Sequence, residues 1–277
     1  MPWTIVNLLV TFVAFGLLAR VSPCNPQQPR FVTRELADNA LYWMVGLVLA
    51  VGVYSDLSAL IVRTGAAVVF GGDAAAVARA TREGWGWMSR LPLLVQAVIV
   101  VVVLDIIQYW LHRVFHADAL WPFHAVHHSA VEVDWSTAYR FHPVNFVVYS
   151  TGAYALVACL GFSPMAFVII GPFNIVMGSV VHANVNWTYG PFRYVLASPV
   201  FHRWHHAKDP AVRDKNFAPT FPVLDLIFGT YYMPKGVLPS DYGCDDAPLH
   251  FTSQMIWPFL VYAERFGLKP RAGQAPA

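Results

Sequence analysis

Residues 144–181 run for 38 positions without a single Asp, Glu, Lys, Arg or His. That is close to twice the roughly 20 apolar residues that one bilayer crossing needs. Gly161, Ser163 and Pro164 lie near the middle and supply a turn. The stretch therefore reads as a helical hairpin, out and back. An even number of crossings returns the chain to the face it left, so whatever flanks the hairpin on both sides shares one membrane surface.

Three further apolar segments precede it, at 3–19, 41–62 (with Asp56) and 91–111 (with Asp105). The first has no Lys or Arg before Arg20 and lacks the positive start of a signal peptide, so it reads as a retained anchor. The expected fold is all-α: a multi-pass helical membrane protein with about five crossings. Composition agrees, with 57% hydrophobic and 12% charged residues, values foreign to disordered chains and coiled coils. The net charge of +2 gives no basis for nucleic-acid binding. Cys24, Cys159 and Cys244 have no metal-site spacing, so neither a disulfide framework nor an iron–sulfur cluster is expected.

With five crossings, the 20–40 segment, both flanks of the hairpin and the C-terminal region lie on one side. That side holds 14 of the 18 Lys and Arg; Arg63, Arg79, Arg82 and Arg90 lie in the 63–90 loop on the other. The positive-inside rule makes the richer side cytoplasmic. It is also the side with the histidines: of 11, ten fall between His112 and His206.

Their spacing is specific. His112-x-x-x-His116 follows the third apolar segment, His124-x-x-His127-His128 comes next, and His202-x-x-His205-His206 lies beyond the hairpin. On a helix, positions i, i+3 and i+4 share a face, and neutral imidazole is the commonest metal ligand. These eight imidazoles exceed what one ion can use, so two metals sharing the clusters is the simpler reading. His182, ending the hairpin on the same side, is a ninth candidate. His142, beside Pro143, is a further ligand or a hydrogen-bonding support, and Asn186 stands at i+4 from His182. Asp105 and Asp225 are candidates to accept the second N–H of a ligating imidazole. His250 has no partner nearby in sequence.

An all-nitrogen dimetal site at a membrane face suits redox iron, with O2 as co-substrate and zinc as a possible stand-in in purified protein. The chain has no His-Glu-x-x-His, no Gly-x-Ser-x-Gly and no phosphate-binding loop. A membrane metal transporter would need ligands near the bilayer midplane. A zinc-dependent hydrolase would need a carboxylate base, for which Glu132 and Asp134 are the nearby acids.

Asp105-x-x-x-Tyr109-Trp110-x-His112-Arg113-x-x-His116, His124-x-x-His127-His128-Ser129 and Ser198-Pro-x-x-His202-Arg203-x-His205-His206 closely resemble the fatty acid hydroxylase superfamily, also called the sterol desaturase family. Phe141-His142-Pro143, Asp214-x-Asn216-Phe217 and Leu224-Asp225-x-x-Phe228-Gly229-Thr230-Tyr231 fit it as well. The likeness spans about 95–232. It implies a multi-pass enzyme with a cytosolic dimetal cap that hydroxylates or desaturates a lipid, using O2 and an external electron donor; the lipid is fatty acyl, sterol or ether. His182 resembles the family's isolated histidine between the second and third boxes. Three positions depart from the pattern. Asn145 stands where several members are acidic, Asn186 where fatty acid hydroxylases repeat a histidine, and Asn216-Phe217-Ala218 replaces Asn-Tyr-Gly.

The resulting division is an anchor region at 1–90, a hydroxylase-like catalytic domain at 91–235, and a C-terminal region at 236–277. The last holds an interfacial helix over 256–266 and a loose tail. No fused electron carrier is visible, so a separate reductase is expected, docking near Arg203, Lys208, Arg213 and Lys215.

Overall fold

The computed structural model describes residues 2–29 and 31–268. The expected loose tail lies outside them. The regular elements among the described residues are all helices, without a strand. Helix α1 spans Pro2–Val21. Helix α2 (Leu36–Leu49) continues through a π-helical segment, Ala50–Tyr54, into α3 (Ser55–Val69); α4 is Ala74–Glu83, α5 Leu93–Phe115 and α6 Trp121–His128. The hairpin follows. Its outgoing arm is α7 (Pro143–Phe146), a second π segment (Val147–Gly152) and α8 (Ala153–Ala158); its return arm is α9 (Pro164–His182). Short helices α10 (Pro199–His205) and α11 (Val223–Ile227) precede the longer α12 (Phe251–Arg265).

Helix α5 packs on α8 and α9, while α2–α3 runs beside α7–α8. Val100 and Leu104 of α5, Ala153 and Val157 of α8, and Ala166 and Ile170 of α9 form the buried core between them. At one end of this bundle the 84–92 loop meets the hairpin turn: Trp85 N donates to Gly161 O at 2.8 Å, and Ser163 N to Gln96 Oε1 at 2.8 Å. Gly161 has φ +89° and approaches the Trp85 carbonyl too closely for any side chain. The opposite end carries the histidines. There α5 ends after His112, α7 starts after His142 and α9 ends on His182.

Of the five expected crossings, two helices among those described, α5 and α9, are long and apolar enough to cross a membrane. Phe12–Val21, Leu36–Leu49 and Pro143–Ala158 are apolar but shorter. The outer faces stay apolar, with Val48 73%, Val98 65% and Val168 64% exposed. So many exposed large apolar side chains on neighbouring helices are unusual for a water-facing monomer.

The 22–39 segment, read from sequence only as part of a basic flank, is built into the histidine end. Asn39 Nδ2 donates to Ser136 Oγ at 2.9 Å, Thr33 Oγ1 to Asp134 Oδ2 at 2.9 Å, and Gln28 Nε2 to Val133 O at 2.8 Å. Helix α12 lies against α6, with Phe259 and Tyr262 centroids 5.7 and 5.5 Å from Phe123.

Candidate metal centre

Helix α6 carries Pro122 in its first turn and presents His124, His127 and His128. Helix α10 starts at Ser198, whose hydroxyl accepts from Phe201 N at 3.2 Å, and presents His202 and His205, with His206 as its C-cap. With α5 and α9, they bring nine imidazoles together. His112, His116, His124, His128 and His205 form one group and His127, His182, His202 and His206 the other; in each, the candidate ligand atoms lie within 4.8 Å of one another. Each His-x-x-His-His triplet is therefore split. The i and i+4 residues face one group and the i+3 residue faces the other. The two groups adjoin, with the rings of His128 and His206 stacked at 4.6 Å.

The hydrogen bonds fix which ring nitrogen points inward. Carbonyl oxygens only accept, so Nδ1 carries the proton in His112 (to Phe217 O, 2.8 Å), His127 (Arg140 O, 3.2 Å), His182 (Gly178 O, 2.7 Å) and His205 (Lys215 O, 2.6 Å). His116 Nδ1 meets the Asp214 carboxylate and His124 Nδ1 the Asn145 amide oxygen, each at 2.8 Å. In the neutral rings Nε2 then holds a lone pair. Yet His112 and His124 point their Nε2 atoms at each other across 3.0 Å, and His127 and His182 do so across 3.3 Å. Two acceptors facing each other repel unless a cation lies between them. Nε2 of His116 and of His205 are buried without a hydrogen-bond partner. This donor set fits metal ions: ligating imidazoles typically give their other N–H to a carbonyl or carboxylate.

Burial keeps the rings neutral. Desolvation first, then repulsion from neighbouring imidazoles, holds His116, His124, His127, His128, His202, His205 and His206 well below the ordinary 6.5. A metal entering at neutral pH would displace few protons.

The remaining candidates lie elsewhere. The Asp105 carboxylate accepts from Thr220 N (2.8 Å) and Phe221 N (3.0 Å), not from an imidazole. Asp225, raised by burial above the usual carboxylate range, accepts from Phe217 N (2.8 Å), Ala218 N (2.9 Å) and Thr230 Oγ1 (2.6 Å). Both acids thus pin the 217–221 loop, whose Phe217 carbonyl takes the His112 proton. His142 caps α7, accepting from Val144 N at 3.2 Å, and sits outside both groups. Asn186 is exposed, because α9 ends at His182 and Ala183 turns to ψ 144°, which breaks the i+4 relation. Glu132 pairs with Arg34 at 3.3 Å, and Asp134 accepts from Ser136 and Thr33, so neither acid offers a base at the centre.

Two arginines anchor the surroundings. Arg140, fully buried, donates to Glu35 (2.7 Å), Asn39 (3.1 Å) and the Val126 carbonyl at the end of α6 (3.1 Å). Arg203 is fully buried too, donating to Val133 O, His182 O (3.2 Å) and Asn25 Oδ1 (2.5 Å). It therefore cannot belong to a basic docking face. Lys208 pairs with Asp245 at 2.6 Å, and Arg213 lies 3.8 Å from Asp246, which leaves that surface mixed in charge.

The centre is approached from two sides. A chamber of about 160 Å³ on the bundle side is lined by five of the histidines with Gln108, Phe141, Tyr149, Asn174 and Met177. A polar cavity of about 180 Å³ on the outer side reaches His116, His128 and His205 past Lys208, Arg213, Asp245 and Asp246.

Residues 97–230 match the family model described as fatty acid hydroxylase. Among curated relatives, ornithine lipid hydroxylase OlsE of Rhizobium tropici is 29% identical over 69% of this chain and 57% of its own length. Human alkylglycerol monooxygenase is 30% identical over 53% of this chain and 31% of its own. Very-long-chain aldehyde decarbonylase GL1-6 of Oryza sativa subsp. indica is 27% identical over 52% of the chain. The chain thus covers less than two thirds of the length of these relatives. No solved structure matches it.

Proposed function

Residues 97–230 carry a fatty acid hydroxylase domain, and from that premise we propose that the protein is an integral membrane, non-haem diiron oxidoreductase that hydroxylates a lipid. The observation that carries the reading is the pair of adjoining all-imidazole groups, with inward-facing Nε2 lone pairs, beside a chamber on the bundle side. His112, His116, His124, His128 and His205 would hold one iron, and His127, His182, His202 and His206 the other. Bound there, the pair would supply O2 activation: one oxygen atom enters a C–H bond and the other leaves as water, with two electrons and two protons from a separate donor protein.

The chain's own residues do the rest. The carbonyls of Phe217, Arg140, Gly178 and Lys215 hold the imidazole protons on Nδ1 and orient the rings. Phe141 stacks on His127 at 4.4 Å and keeps water from that face of the ring. The bundle-side chamber receives the lipid, while the polar cavity faces the side from which protons and electrons arrive. The membrane reading rests on α5, α9 and the apolar exterior, and the charge distribution supports a cytoplasmic histidine face. A fatty acyl, sterol or ether lipid suits this arrangement.

Lipid mass spectrometry of cells grown under labelled oxygen, comparing the protein with His205→Ala, tests this. A lipid labelled only with the intact protein is the expected result. A lipid that loses two hydrogens without label would make the enzyme a desaturase, and no difference between the two strains would contradict the reading.

A further inference from the structure

The chamber beside the histidines is the narrow end of a longer passage. Gln108, Ala138, Phe141, Tyr149 and Asn174 line both it and an apolar groove of about 650 Å³ between α2, the second π segment and α9. Tyr154 and Phe167 line that groove and also a third cavity of about 390 Å³ toward the loop end of the bundle. Their ring centroids are 6.2 Å apart, and Tyr154 OH accepts from Asn174 Nδ2 at 2.6 Å. The passage therefore begins at the imidazoles, runs along the bundle and meets an aromatic step.

Two adjacent residues, Gly171 and Pro172, weaken α9 at mid-length, and the first of them lies in the wall of this passage. Gly171 lies mid-way along α9, where glycine is the poorest helix former after proline. Apart from its chain neighbours and its own helix backbone, a Cβ there would meet nothing within 4 Å. The space it leaves belongs to the groove. Both π segments contribute to the same wall through Ala50, Tyr149 and Ser150, and such segments often mark functional sites.

We propose that this groove holds the apolar tail of the lipid substrate, that Gly171 keeps it open, and that the Tyr154–Phe167 pair sets the tail length accepted. The inference rests on the lipid-hydroxylase reading and adds a specificity determinant to it. The occupant follows from continuity with the histidine chamber: a molecule with a carbon at the imidazoles has this apolar path for the rest of its length. Filling the groove at Gly171 would deny methylenes to the longer tails, at about fourfold in affinity for each one.

The test measures binding of saturated lysophosphatidylcholines of graded tail length to the purified, metal-loaded protein, to Gly171→Leu and to Phe167→Ala. Thermal stability and metal content are recorded alongside. Gly171→Leu should bind long-tailed probes roughly tenfold or more weakly and short ones as before, with metal content unchanged. Phe167→Ala should move the optimum to longer tails. A wild-type protein indifferent to tail length, or a Gly171→Leu profile matching it, overturns the assignment. Either result leaves metal content and labelled-oxygen incorporation to judge the hydroxylase reading separately.

Discussion

Asn145 offers a sharp test of how the centre is held. It is fully buried, its Oδ1 accepts the His124 Nδ1 proton at 2.8 Å, and its Nδ2 has no hydrogen-bond partner. Asn145→Leu removes the acceptor and leaves a buried imidazole N–H unpaired. Supporting bonds of this kind are worth about 10–100-fold in metal affinity. Asn145→Asp does the reverse. It deletes the unpaired N–H2 and supplies a carboxylate, and charge-assisted bonds are roughly twice as strong as neutral ones of about 1 kcal/mol. The Asp variant should therefore bind metal some fivefold more tightly than the wild type. With no metal it should be the less stable, because its charge is then buried uncompensated. Competition with a chelator of graded concentration, read by metal analysis, orders the three proteins Asp, Asn, Leu. Equal retention in the Leu and wild-type proteins would refute the claim that this bond orients a ligand.

Other consequences are as direct. Arg140→Met strands the Glu35 carboxylate, 2.7 Å from the lost guanidinium, and should cost about 3–5 kcal/mol; thermal unfolding should show most of this recovered in Arg140→Met/Glu35→Leu, and an equal loss in the double variant would contradict the pairing. Acid should unfold the metal-free protein. Seven of the histidines held below 6.5, those of the three boxes other than His112, take up protons in the unfolded chain first. Their contribution is complete above about 6.5 and is lost as pH falls from there toward the lowered folded values, at about 1.4 kcal/mol per unit for each. A pH titration followed by tryptophan fluorescence should place the metal-free midpoint above that of the loaded protein; coincident midpoints would contradict the buried, neutral state.

The histidine spacing was legible because ligation demands one residue type at helical intervals, and local spacing survives folding. The hairpin was legible for the same reason: a long charge-free run has few ways to fold. The crosswise division of each triplet was not, since it depends on how α6 docks against α10. The Glu35–Arg140 and Asn25–Arg203 contacts join residues far apart in sequence, with no periodicity to betray them. Arg203 read as a surface charge because composition cannot reveal that a guanidinium is enclosed by carbonyls. Asp105 and Asp225 read as acceptors for imidazole N–H groups, but both accept from the 217–221 loop instead, and that loop stands between them and the rings. Asn145 drew notice only as a departure from an acidic pattern, and its contact with His124 gives that position a physical role.

The most direct measurement is the number of metal ions per purified chain, for the wild type, His205→Ala and His127→Ala. Two separate groups of ligands predict two ions, iron when iron is supplied. His205→Ala should weaken the five-histidine group and His127→Ala the four-histidine group, each leaving about one tightly held ion. A wild-type stoichiometry of one or none, or full loading in both variants, would contradict the two-metal centre.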